Sequence, residues 1–379
     1  MKHEDYKTPG QLIDDLLAKR GWTKRILAII LEMDETAVSK IISGKRAVDA
    51  DLSLILSELF DVPAKEFLEL QQKYDLAKAQ IVSRPDPQRS ARAHLFGDLP
   101  ITQMIKRGWI EADSIKDVPQ VEKALTKFFN ASSVEEIEIL PYAAKKTQTF
   151  MPVTSSQLAW IYRVKQIASE MIVGQYTKTA VNGALSKLKN LMHATEETRK
   201  VPRILAECGI RYVIVEALPS SKIDGVCFWL DENSPVIAMS LRYDRIDNFW
   251  FVLRHELEHV LLGHGKNAIM LDVELVGEKA GSNTNIADEE RVANEAAANF
   301  CVPQKRLNSF IARKAPFFRE NDMLGLANVL CVHPGILAGQ IQHKTERYNL
   351  FRKYQVKIRH LVIPSAMVDG WGNIAPVDA

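Results

Sequence analysis

The stretch FWFVLRHELEHVLLGHGKN, residues 249–267, sets two histidines and two glutamates in an otherwise apolar run that ends in glycines. Asp247 is placed to cap a helix through this run, and Gly263 to stop it. On such a helix His255 and His259, four residues apart, share one face. The spacing is H-E-x-x-H: two imidazoles able to bind one zinc, with Glu256 rotated about 100° from His255 and reaching the metal's open position without ligating it. In that role Glu256 is the general base that takes a proton from water and delivers it to a leaving amine. Glu258 has no required role and defaults to a solvated or supporting carboxylate. His264 lies five residues beyond His259 and follows the helix-ending Gly263, so it is a poor ligand candidate.

A catalytic zinc takes three protein ligands. The next helical run, ADEERVANEAAANFCVP (287–303), offers Glu289, Glu290 and Glu295. At about 100° per residue, an apolar centre of Val292, Ala293, Ala296, Ala297 and Phe300 falls between Glu289 and Glu290, while Glu295 faces away. Glu290 is the expected third ligand, with Glu289 in reserve. Asn294, four residues on, could hydrogen-bond the outer nitrogen of a zinc-bound histidine.

These segments, followed by LANVLCVHPGILAGQIQHK (326–344), resemble the ImmA/IrrE family of zinc metallopeptidases, in which a glutamate from an E-x-x-A-[ND] helix completes the H-E-x-x-H site. The resemblance implies His255, His259 and Glu290 as zinc ligands and Glu256 as base. Two departures stand out. Glu258 occupies a position where family members often carry glycine, which bears on substrate preference, and AAANFCVP replaces a run such as F-A-A-x-L-L-M-P.

Outward from the site, RYVIVEAL, GVCFWLD and PVIAMSL read as strands of one small sheet. PVIAMSL is either a sheet edge along which an extended substrate could lie or a fully paired strand. Residues 99–200 are mostly helical by spacing, and SRPDPQRSARAHLFGDLP (83–100) suggests a linker. The closing SAMVDGWGNIAPVDA has no periodicity and reads as a loose tail.

Near the amino terminus, Lys24–Leu31 and Glu35–Ser43 form two short helices with Thr23 and Asp34 as caps and Gly44 as the stop, a helix-turn-helix. It resembles the Xre family of repressors and is closest to HigA-like antitoxins. The second helix would present Glu35, Thr36, Ser39 and Lys40 to a major groove, with Lys45 and Arg46 meeting phosphates. Residues 1–80 carry 12 Lys and Arg against 14 Asp and Glu, so the module is no basic clamp.

At 379 residues, 46% hydrophobic and 25% charged, the chain has room for several cores. Its net charge of +2 restricts any nucleic-acid role to a local element. Cys208, Cys227, Cys301 and Cys331 are too scattered for a zinc ribbon or disulfide framework. No run is apolar enough to span a membrane and the start lacks a secretory apolar region, so the chain reads as cytoplasmic. The expected fold is mainly α with a small β-sheet (α+β). It divides into a helix-turn-helix domain (1–80), a linker and helical connector (81–200), a gluzincin-like zinc peptidase domain (201–345) and a C-terminal extension and tail (346–379). The expected function is a DNA-binding regulator, acting on double-stranded operator DNA with a homodimer as an expected state, whose Zn2+ endopeptidase cleaves a repressor or a toxin–antitoxin partner. The rival expectation is a HigA-like antitoxin or repressor with a silent metal site.

Overall fold

The structure, a computed structural model, describes residues 7–82, 89–139, 145–146, 153–277 and 287–377. It is mainly α with one small mixed sheet, in two compact units, Met1–Pro87 and Gln88–Ala379. No single helix among the described residues is long and apolar enough to cross a membrane.

The first unit holds α1 (Pro9–Arg20), α2 (Lys24–Ile30), α3 (Glu35–Ile42), α4 (Ala50–Phe60) and α5 (Ala64–Val82). Thr8, Thr23, Asp34 and Asp49 each accept a hydrogen bond from the backbone N–H three residues on, satisfying donors that a helix start leaves unpaired. Ile13, Leu27, Val38, Leu56 and Phe67 fill the core. Gly44, at φ 71°, turns the chain after α3 in a conformation that favours glycine. The two expected short helices are present, each ending a residue early.

The second unit begins with α6 (Arg89–Asp98), α7 (Ile101–Lys106), α8 (Val118–Phe129), α9 (Val134–Ile139), β1 (Lys145–Lys146), α10 (Ser155–Glu170), α11 (Lys178–Leu191) and α12 (Val201–Glu207). It continues through β2 (Arg211–Val215), β3 (Ile223–Trp229), β4 (Pro235–Met239), α13 (Ile246–Leu262), β5 (Met270–Val273) and α14 (Asp288–Cys301). It closes with α15 (Gln304–Lys314), α16 (Glu320–Leu330), α17 (Pro334–Thr345), α18 (Arg359–Val362) and β6 (Met367–Asp369).

The strands form one sheet in the order β1-β5-β3-β4-β2-β6, with β3 antiparallel to both neighbours and the other pairings parallel. Side chains alternate across it. Tyr212, Ile214, Cys227, Ile237 and Met239 share a core with Phe249, Trp250, Leu253 and Leu257 of α13. Val213, Val215, Val226, Phe228 and Ala238 share the other with Trp160, Val164 and Ile167 of α10. The central strands are therefore buried on both faces, which explains their near-continuous apolar runs.

Four expectations change. Residues 89–98 of the expected linker are helix, while 83–88 lie outside the described residues. The expected boundaries near 200 and 345 do not separate packing units. Connector residues such as Leu95, Val121 and Trp160 cover one sheet face, and Ile358, Val362 and Val368 join the core on the other. The tail is not loose, because β6 pairs with β2 and Asp369 is buried, accepting from Trp109 Nε1 at 2.7 Å and pairing with Arg163 at 2.6 Å. Finally, PVIAMSL is no edge: β4 pairs with β2 on one side and β3 on the other, leaving no open ladder for a peptide.

Candidate metal centre

Helix α13 starts one residue before Asp247, which lies in its first turn paired with Arg245 at 2.5 Å and is not the cap. Gly263, at φ 77°, ends the helix as expected, its N–H bonding to the carbonyls of His259 and Val260. Between these ends α13 buries His255, Glu256 and His259 completely. Helix α14 packs against it through Ala293 and Ala297, both fully buried, whose small side chains permit close approach. On the same face Glu290 is fully buried, whereas the Glu289 side chain is 58% exposed. Of the two expected candidates, the structure brings Glu290 to the histidines.

The donor atoms converge. His255 Nε2 and His259 Nε2 are 3.0 Å apart, and Glu290 straddles them, Oε2 at 3.3 Å from His255 and Oε1 at 3.3 Å from His259. Four ligands at the usual zinc distances of about 2.0–2.1 Å in a tetrahedron lie roughly 3.3 Å from one another. The separations thus match a set drawn up around one ion. Both Glu290 oxygens are buried without a hydrogen-bond partner, which a bound cation would satisfy. On donor chemistry and spacing alike, these residues fit zinc.

Two further residues shape the centre without belonging to any motif. Asp272, from the four-residue strand β5, places Oδ2 3.3 Å from His255 Nε2 and 4.0 Å from His259 Nε2. The donors of His255, His259, Asp272 and Glu290 all lie within 4.8 Å of one another. Gly225, on β3, pairs with Asp272 beside a register shift. A Cβ at Gly225 would overlap Glu256 Oε1 and sit 2.9 Å from its Cδ, so the missing side chain makes room for the Glu256 carboxylate. The only sequence signals were an acid in an apolar run and a glycine opening a strand.

The supporting residues also differ from expectation. Asn294 does not reach a histidine: its Oδ1 and His255 Nδ1 are both buried without hydrogen-bond partners. Instead, the outer nitrogen of His259 meets His264 Nδ1 at 3.0 Å, and His264 Nε2 lies 4.0 Å from Glu289 Oε1. His264 therefore stands outside the candidate donor set and contacts one of its members, because the turn at Gly263 folds it back over α13. Gly265 lets that turn approach Cys227, whose carbonyl would stand 2.8 Å from a Cβ there. Glu258 pairs with Arg254 at 2.6 Å.

Without a metal, the centre is a buried knot of opposed charges. Burial alone would lower the His255 pKa, but the carboxylates of Asp272 and Glu290 overcome it and hold the imidazole at about 10. Burial, reinforced by Asp272 and Glu290, pushes Glu256 well above the usual carboxylate range. Burial also works to raise Asp272, yet the neighbouring histidines leave it below its ordinary value.

Residues 207–327 match the peptidase family described as the IrrE N-terminal-like domain. The matched segment runs from the end of α12 into α16 and carries every residue of this centre, which supports a metallopeptidase reading of the second unit. No curated protein matches the chain. The match does not extend to the amino-terminal unit, where Glu35, Thr36, Ser39, Lys40, Lys45 and Arg46 are all exposed on α3 and the turn after it. The N–H groups of Lys45 and Arg46 both donate to the Lys40 carbonyl, gathering the three basic residues at the end of α3.

Proposed function

We propose that the chain is a cytoplasmic, DNA-binding transcriptional regulator whose second unit is a zinc-dependent endopeptidase, acting on a repressor or a toxin–antitoxin partner. The observation that carries the enzymatic half is the convergence of His255, His259 and Glu290 on one point, with Glu256 beside them but outside the donor set. Zinc, when bound, supplies Lewis acidity to water and to the scissile carbonyl. Glu256 takes the proton from the attacking water and returns it to the leaving amine. His264 holds the His259 ring through its outer nitrogen. The regulatory half rests on the resemblance of α2 and α3 to Xre repressors and on the exposed Thr36, Ser39, Lys40, Lys45 and Arg46, which would meet a duplex operator as part of a homodimer.

Glu256→Gln tests the enzymatic half. That chain should retain about one zinc, the stoichiometry of a mononuclear site, and lose hydrolysis. Cells expressing either version should then differ in one protein that is shortened only by the natural chain. A second reading, a HigA-like antitoxin or repressor with a silent centre, is favoured by the complete burial of His255, Glu256, His259 and Glu290. Operator binding with zinc present and no protein shortened by either chain would select it.

A further inference from the structure

We propose that Asp272 is a fourth protein ligand, so that the conformation described above is a closed, latent form of the centre. This rests on the zinc-peptidase reading and adds a regulatory state to it.

Catalytic zinc sites have three protein ligands and an open position, whereas closed sites have four. Asp272 Oδ2 stands as far from His255 Nε2, 3.3 Å, as Glu290 Oε2 does, and it approaches the histidine pair from a third element, β5. Two neutral imidazoles and two carboxylates also balance a divalent cation, so the loaded set can be buried without net charge. The backbone supports this placement: β3 and β5 shift register between Ile223 and Gly225, and Gly225 is the residue paired with Asp272. Such irregularities re-aim side chains next to functional sites. Asp272 is itself fully buried, as are His255, Glu256, His259 and Glu290. A peptide therefore gains the metal only when Asp272 withdraws, and an event that draws β5 from β3 is the activating step.

The test uses the full chain loaded with cobalt(II), whose visible spectrum reports coordination, and azide as a small exogenous ligand. The natural chain should show a four-coordinate spectrum that millimolar azide leaves unchanged. Asp272→Ala and the isosteric Asp272→Asn should open a position, so that azide shifts their spectra. Chelator competition should show Asp272→Asn weakening metal binding beyond the roughly 10–100-fold loss that follows removal of an outer hydrogen-bond partner. An azide-shifted natural chain overturns the proposal whether or not the variants fold, and so does an azide-insensitive Asp272→Ala centre. A chain that takes up neither cobalt nor zinc overturns the underlying metal reading as well, and is thereby told apart from failure of the ligand assignment alone.

Discussion

Replacing Gly225 by alanine isolates the contact between the sheet and the base. The added Cβ would overlap Glu256 Oε1 and sit 2.9 Å from Cδ and 3.1 Å from Cγ, against the roughly 3.5–4.0 Å of comfortable carbon contacts. The carboxylate must retreat by about 1 Å within a fully buried site. Overpacking of this kind costs about 1–3 kcal/mol. With Glu256 already truncated to alanine, all three contacting atoms are gone. The same change should then be neutral, or stabilising by about 0.4–1 kcal/mol through the stiffer unfolded chain, because Gly225 has no left-handed φ that alanine would resist. The assay is a double-mutant cycle of urea midpoints on metal-free protein, which needs no substrate. Equal costs of Gly225→Ala in both backgrounds would refute the reasoning. In the natural background, a base displaced by about 1 Å should also lower turnover on the order of 100-fold while zinc content stays normal.

Four further outcomes follow from named contacts. His255→Ala, His259→Ala or Glu290→Ala should strip zinc, measured by metal analysis, and full zinc in Glu290→Ala would move the third-ligand role to another carboxylate. In the metal-free protein the raised folded pKa of His255, about 10 against 6.5, stabilises the fold fully below 6.5 and ceases to do so as pH rises through 10. Glu256, also raised, acts with the same sign, so urea midpoints in chelator should fall with pH across that window and be flatter with zinc bound. Asp369→Ala leaves Arg163, 5% exposed, without its carboxylate partner and should cost about 3–5 kcal/mol; an unchanged midpoint would show that β6 is held by packing alone. Lys40→Ala should weaken a gel shift with operator duplex, and the natural complex should depend weakly on salt, since 14 acidic residues outweigh 12 basic ones in residues 1–80.

The helical parts of the centre were legible because a helix converts spacing into position. His255, Glu256 and His259 are tied to one turn by the 3.6-residue period, and apolar neighbours say which side is buried. The same logic chose Glu290 over Glu289 on α14, though it misjudged the stripe. Val292, placed at the apolar centre, is 36% exposed, and the buried line is Glu290, Ala293, Ala297 and Cys301. Helical spacing also points to Asn294. It failed because reaching a ring nitrogen depends on how α14 is rotated against α13, a tertiary quantity.

The strands carried no such information. Their period of two says which residues share a face but not which strands are neighbours, and so β4, the better-looking edge, is interior because β2 lies beside it. Strand β6 has no local signal, because the side chains that hold its Asp369, Arg163 and Trp109, lie more than 200 residues earlier. Asp272 combines both difficulties. In sequence it is one of 47 acidic residues, set in a four-residue strand too short to show alternation. It becomes a candidate ligand only because β5 pairs with β3 at Gly225, where Glu256 fills the space a side chain would have taken. Two helices make the centre legible as a candidate metal site, and the sheet register decides whether Asp272 reaches it.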